Sequence, residues 1–193
     1  MQRLSRSDLL TLEAYAAQRV ELRKRALAHK RARTLHLGDH FTLLFEDSIT
    51  VQAQVQEMLR IERIFEPEGI QDELDTYNPL IPDGTNLKAT LLIEYADAGQ
   101  RAVELSRLRG IEHALYAEVV GHGRAALHVD EDLDRSDDDK TAAVHFLRFE
   151  FPEQAIGALR GGASLVFGID DPRMPLRDPA SAPLLAALLQ DFD

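Results

Sequence analysis

The chain has 193 residues, a formal net charge of -11, 45% hydrophobic and 28% charged residues, and neither cysteine nor tryptophan. That length suits one domain with a full hydrophobic core, and the lack of cysteine excludes disulfides, thiolate zinc or iron–sulfur ligation by this chain, and thiol catalysis. No apolar run of about 18 residues exists to span a membrane and the N-terminus lacks a signal-peptide core, so a cytoplasmic location is expected.

Ser5 or Ser7 is placed to open a helix in which Leu9, Leu12, Ala16 and Val20 recur at helical spacing, to about residue 29. Residues 1–33 carry nine basic side chains against three acidic ones, leaving +6 there and -17 for the rest of a chain whose net charge is -11. A basic helix on an acidic body invites a nucleic-acid reading. The acidic body repels a polyanion, however, which favours packing on an acidic protein surface.

Residues 34–45 read as a β-hairpin. With Gly38, Asp39 and His40 as a three-residue loop, Leu35 opposes Leu43 and Leu37 opposes Phe41, so the apolar residues share one face and His36 points outward. Asp47 or Ser48 caps a second helix to about residue 65, with Val51, Val55, Met58 and Phe65 forming a stripe that includes Glu62. Pro67 suits the first turn of a shorter helix ending at Tyr77. Residues 77–90 form a connector with two prolines, a Pro-Asp-Gly turn and two asparagines, which fixes backbone angles that a generic linker leaves free.

Residues 88–95 alternate as a strand, with Ala89, Leu91, Ile93 and Tyr95 on one face. A helix over 98–109 and a hairpin over 113–129, turning at Gly121-His122-Gly123, follow. The strand at 141–151 places His145, Leu147, Phe149 and Phe151 on one side. A helix at 153–160, a strand at 163–169 and a helix at 182–189 complete the order. The expected class is α+β, a mainly antiparallel sheet of about seven strands with helices packed on it. The expected divisions are a basic helix (1–33), a core (34–170) and a Pro-containing tail (171–193).

The acidic run at 130–139 imitates the opening of a calcium loop, but Arg135 stands where the tight turn needs Gly and Thr141 where a bidentate Glu is needed. It reads as a solvated loop. Glu62 in an apolar stripe needs a partner, and Arg60 is in reach of Glu57 at i, i+3. The structural reading is an ion pair. The functional alternative is a divalent-metal site of Glu57, Glu62, Glu94 and His145. No helical Glu-x-x-His supports it, and no nucleophile elbow, phosphate loop or dinucleotide fingerprint is present.

Several blocks together resemble a bacterial family known as domain of unknown function 3501: Ala28-His29-Lys30-Arg31, Leu43-Leu44-Phe45-Glu46, Gln56-Glu57-Met58-Leu59-Arg60, the connector 77–90, Asp139-Lys140-Thr141 and 144–150. The resemblance implies no defined activity. It implies an accessory role in a redox or oxidative-stress module, beside rubrerythrin-like proteins and iron–sulfur oxidoreductases. It also marks Glu57, Arg60, Asn78, Asn86, Lys88, Lys140 and His145 as polar positions of interest. The leading expectation is a non-catalytic protein that binds a redox enzyme, with no evident cofactor. A metal-dependent enzyme and nucleic-acid binding are the alternatives, and an apolar helix near 183–189 makes a homodimer conceivable.

Overall fold

The computed structural model describes residues 3–131, 135–136 and 139–193. Helix α1 (Leu12–Ala32) is capped by the Thr11 hydroxyl, which accepts from the Ala14 amide. Its interior has no Gly or Pro and is rich in Ala, Leu and Arg, all strong helix formers. It starts later than Ser5 or Ser7 suggested, because Ser5 caps a separate 3-10 turn, Arg6–Asp8, whose Asp8 carboxylate accepts from the Ser5 amide at 2.7 Å.

Strands β1 (Thr34–Leu37) and β2 (Phe41–Phe45) pair with Leu35 opposite Leu43 and Leu37 opposite Phe41, the register of the three-residue loop, with Gly38 at φ 62°. There follow α2 (Ser48–Glu62), α3 (Pro67–Tyr77), β3 (Asn86–Ile93), α4 (Ala98–Arg107), β4 (Leu115–Val119), β5 (Gly123–Arg124) and β6 (Ala126–Val129). The chain ends with β7 (Val144–Glu150), α5 (Glu153–Arg160), β8 (Leu165–Ile169), β9 (Leu176–Pro179) and α6 (Ala182–Leu188).

The class is α+β, but the described strands form two antiparallel sheets rather than one of about seven strands. One has the order β1-β2-β3-β7-β6, the other β5-β4-β8-β9. The expected 113–129 hairpin is the main correction. It divides at Ala125: Arg124 still pairs with Glu118 on β4, whereas Ala126 pairs with Glu150 on β7. Alternation specifies which side chains of a strand face inward, not which neighbour takes its hydrogen bonds. The tail adds the other surprise, β9 on the edge beside β8, where Pro179 is tolerated.

The inward faces of the two sheets enclose the main core. Leu43, Leu91 and Phe149 from the first meet Ala117, Leu165 and Phe167 from the second, and the Phe167 ring lies 5.0 Å from Phe45 and 5.7 Å from Phe149. Leu184, Leu188 and Phe192 join this core, so the segment after residue 170 packs with residues 34–170, and α6 turns apolar side chains to its own chain. Helices α2 and α3 and the following connector build a second, smaller core from Val51, Val55, Leu59, Leu74 and Ile81, with Leu4, Leu9 and Leu12 packed against it.

Candidate functional site

Helix α1 is the least buried long element. Among its 21 residues Tyr15 alone is fully buried. The opposite face presents Val20 (86% exposed) and Leu27 (52%), with Arg23, Lys24 and Arg31 beside them. Positions 20, 23, 24, 27 and 31 fall on one helical face. Arg23, Lys24 and Arg31 make no ion pair among the described residues, whereas Arg25 is paired with Glu21 and Arg19 with Glu57. The result is an apolar strip flanked by unneutralised cations.

On its inner side α1 is tied to α2 through Glu57. Tyr15 Oη donates to Glu57 Oε1 at 2.6 Å, and Arg19 donates through Nε and Nη2 at 2.8 and 2.9 Å. Arg60 is 3.5 Å away, the i, i+3 pair anticipated from sequence. The Arg19 fork holds the Glu57 carboxyl down at about 2, and burial followed by the Glu57 contact pushes the Tyr15 phenol up to about 12. Glu62 lies at the exposed end of α2, because that helix stops there, with Arg63 left-handed at φ 56°.

The connector 77–90 is braced internally. Asn78 accepts from the Leu4 amide at 2.8 Å and donates to the Leu4 carbonyl at 2.9 Å, fastening the N-terminal segment. Asn86, fully buried, donates to Asp83 at 2.7 Å and Glu150 at 3.1 Å. Lys88 Nζ donates to the Pro79 carbonyl at 2.6 Å, and burial holds this ammonium below the usual lysine range. Lys88 also lines a cavity of about 120 Å³ with Arg148, Leu80 and Phe146. Leu80 and Phe146 border a second cavity of about 260 Å³, whose floor is the cross-strand row Leu44–Thr90–Phe146 on the outer face of the five-stranded sheet.

His145 is fully buried. Its Nδ1 lies 2.6 Å from Asp130 Oδ2, and its Nε2 lies 2.8 Å from Thr141 Oγ1 and 3.1 Å from the Ala142 carbonyl. Thr141 in turn donates to Glu112 at 2.7 Å, and Ser136 donates to Glu112 at 2.8 Å. Burial opposes ionisation of Glu112, yet these hydroxyls keep its carboxyl below the usual range. Glu94, exposed, accepts from Thr42 at 2.6 Å. The four residues considered for a metal thus make separate contacts, and among the described residues no group of three or more His, Asp and Glu side chains is placed to hold an ion. Lys140 is exposed, beside an acidic run of which residues 132–134 and 137–138 lie outside the described ones.

Sequence reasoning passed over Arg33, counted only as one more cation of the N-terminal stretch. It is 1% exposed. Its guanidinium donates to the carbonyls of Phe45 (3.1 Å), Ala187 (3.1 Å) and Glu46 (3.2 Å) and to the Asp191 carboxylate. Asp47, which caps α2, lies 3.4 Å from Arg33 and 2.5 Å from His29 Nε2. The one available signal was position: Arg33 immediately precedes a strand with an apolar inner face.

A family described as "Protein of unknown function (DUF3501)" matches residues 3–192. A crystal structure of a novel protein of unknown function from Burkholderia pseudomallei K96243 superposes with a TM-score of 0.94, is 46% identical, and is covered, like this chain, over 100% of its length. No curated protein matches the chain.

Proposed function

The chain belongs to the DUF3501 family, and we propose that it is a cytoplasmic accessory protein that binds an acidic partner through the exposed face of α1. The observation that carries this reading is the strip of Val20 and Leu27 flanked by Arg23, Lys24 and Arg31, cations that no carboxylate of the chain neutralises among the described residues. Single exposed apolar residues are ordinary. Two of them a double turn apart, edged by free cations, offer an apolar contact with charge to steer it. Two copies of this chain would bring cation against cation, so a partner bearing carboxylates around an apolar patch fits better. The family resemblance suggests that the partner belongs to a redox or oxidative-stress module, a rubrerythrin-like protein or an iron–sulfur oxidoreductase.

The test is surface plasmon resonance with purified redox proteins of those two kinds, at low and at high salt. The expected result is binding that weakens as salt screens the charges and is abolished by Val20→Glu with Leu27→Glu. Absence of binding to both at low salt overturns the proposal. An electrophoretic shift assay with duplex DNA covers the nucleic-acid alternative, since retardation that falls steeply with salt would move the assignment there.

A further inference from the structure

The larger cavity between the helices and the outer face of the five-stranded sheet holds two opposite charges that do not meet. Lys30, in the last turn of α1, and Glu46, just after β2, both line it, yet they form no ion pair with each other or with any described residue. Glu46 is held in place. Its Oε1 accepts from Thr90 at 2.8 Å and its Oε2 from Thr50 at 2.5 Å, while its backbone carbonyl is fixed by Arg33 and its amide by the Lys88 carbonyl. Both charges are half-buried. Among the described residues this partly desolvated carboxylate has only hydroxyl donors and the lysine ammonium no acceptor, which leaves each with unsatisfied capacity for an opposite charge. Leu44, Leu80 and Phe146 supply apolar wall, and Gln54, Tyr77 and Thr90 add polar groups to the lining.

We propose that this cavity is a binding site for a small zwitterion with an apolar side chain, an α-amino acid of about the size of leucine or phenylalanine. Its ammonium pairs with Glu46 and its carboxylate with Lys30. Its side chain lies on Leu80 and Phe146, toward the smaller cavity beyond them. The volume of about 260 Å³ lies just below the usual range for ligand pockets and selects a small metabolite over a nucleotide. A fixed carboxylate just past the end of a sheet strand and a lysine on the adjoining helix, held apart, make a preorganised pair of charges that need not be pulled apart before the ligand enters. The site shares no lining residue with the exposed strip of α1, so it stands or falls independently of the partner reading.

Isothermal titration calorimetry on the full chain tests the assignment, with L-leucine and L-phenylalanine compared against 3-phenylpropanoate and phenethylamine. The amino acids are expected to bind, and each single-charge analogue at least about tenfold more weakly, the loss of one charge-assisted bond. Glu46→Gln and Lys30→Met should each weaken phenylalanine by a similar factor. Lys30→Met should leave phenethylamine unchanged, and Glu46→Gln should leave 3-phenylpropanoate unchanged. Thermal melts confirm that both variants fold, and Lys30, which makes no side-chain hydrogen bond or ion pair among the described residues, keeps the test open if Glu46→Gln does not. No heat with either amino acid at millimolar concentration, or equal binding by wild type and Lys30→Met, overturns the proposal.

Discussion

The guanidinium of Arg33 meets the carboxylate of Asp191 in the interior, although 158 residues separate them in the chain. This contact closes the molecule, joining the end of α1 to the segment after α6. Three backbone carbonyls complete the set of acceptors around it, which suits the planar fork of arginine and not the single ammonium of lysine. Arg33→Met leaves Asp191 buried without its cation, a loss of about 3–5 kcal/mol. Arg33→Lys should also destabilise, by less. Urea denaturation of the two variants and wild type measures this, and an unchanged midpoint for Arg33→Met would show that the pair contributes nothing.

Asp191 also gives the protein a pH dependence of unusual sign. Burial pushes its carboxyl up to about 6, against the pull of Arg33, and its Oδ1 has no hydrogen-bond partner among the described residues. Between an ordinary aspartate value of about 4 and about 6, the folded state holds this proton more tightly than the unfolded one. Its contribution to stability therefore falls as pH rises through that window, by on the order of 3 kcal/mol. Asp191→Asn should flatten this part of the profile. Parallel slopes for wild type and variant between pH 4 and 6, in urea midpoints, would refute the assignment.

Glu57 behaves in the opposite sense. Its carboxyl is held at about 2 by Arg19, so its contribution is full above the ordinary glutamate range and is lost as pH falls toward 2. Glu57→Gln should cost about 1–2 kcal/mol at neutral pH, between the values for exposed and buried pairs. The same change should return the Tyr15 phenol from about 12 toward the usual value, readable by ultraviolet titration of tyrosinate. A Tyr15 that titrates identically in the variant would contradict the contact.

Gly168 on β8 has no room for a side chain. A Cβ there would lie 2.4 Å from the Tyr116 ring and 2.5 Å from the Leu176 carbonyl, and Tyr116 is itself covered by Arg124 at 3.9 Å. Gly168→Ala forces the ring or β9 away and should destabilise by about 1–3 kcal/mol. Gly84→Ala, with open space but φ 103°, separates backbone strain from crowding. Thermal melts of both give the comparison, and a Gly168→Ala melting temperature equal to that of wild type would remove the crowding argument.

Substitutions on the outer face of α1 should leave the fold intact. Val20→Glu and Leu27→Glu change positions 86% and 52% exposed, so each should alter stability by no more than about 0.5 kcal/mol. A large loss of stability in either would mean that the strip is structural and not a contact surface.

What the sequence determined by itself was local. The three-residue loop at Gly38 set the β1–β2 register, the Asp47-Ser48 pair marked the start of α2, Pro67 opened α3, and alternation placed Ala89, Leu91, His145 and Phe149 inward. Each of these depends on turn chemistry or on the two periods of 3.6 and 2 residues, which are written within a few neighbouring positions. The tertiary structure alone decided that β6 leaves β4 for β7, that the tail supplies β9, and that Arg33 finds Asp191. It also decided that Lys30 and Glu46 line one cavity without touching. The physical reason is common to all four. Hydrogen-bond partners and buried charge pairs are chosen by which surfaces remain unsatisfied once the whole chain has closed, and no window of sequence contains both sides of that choice.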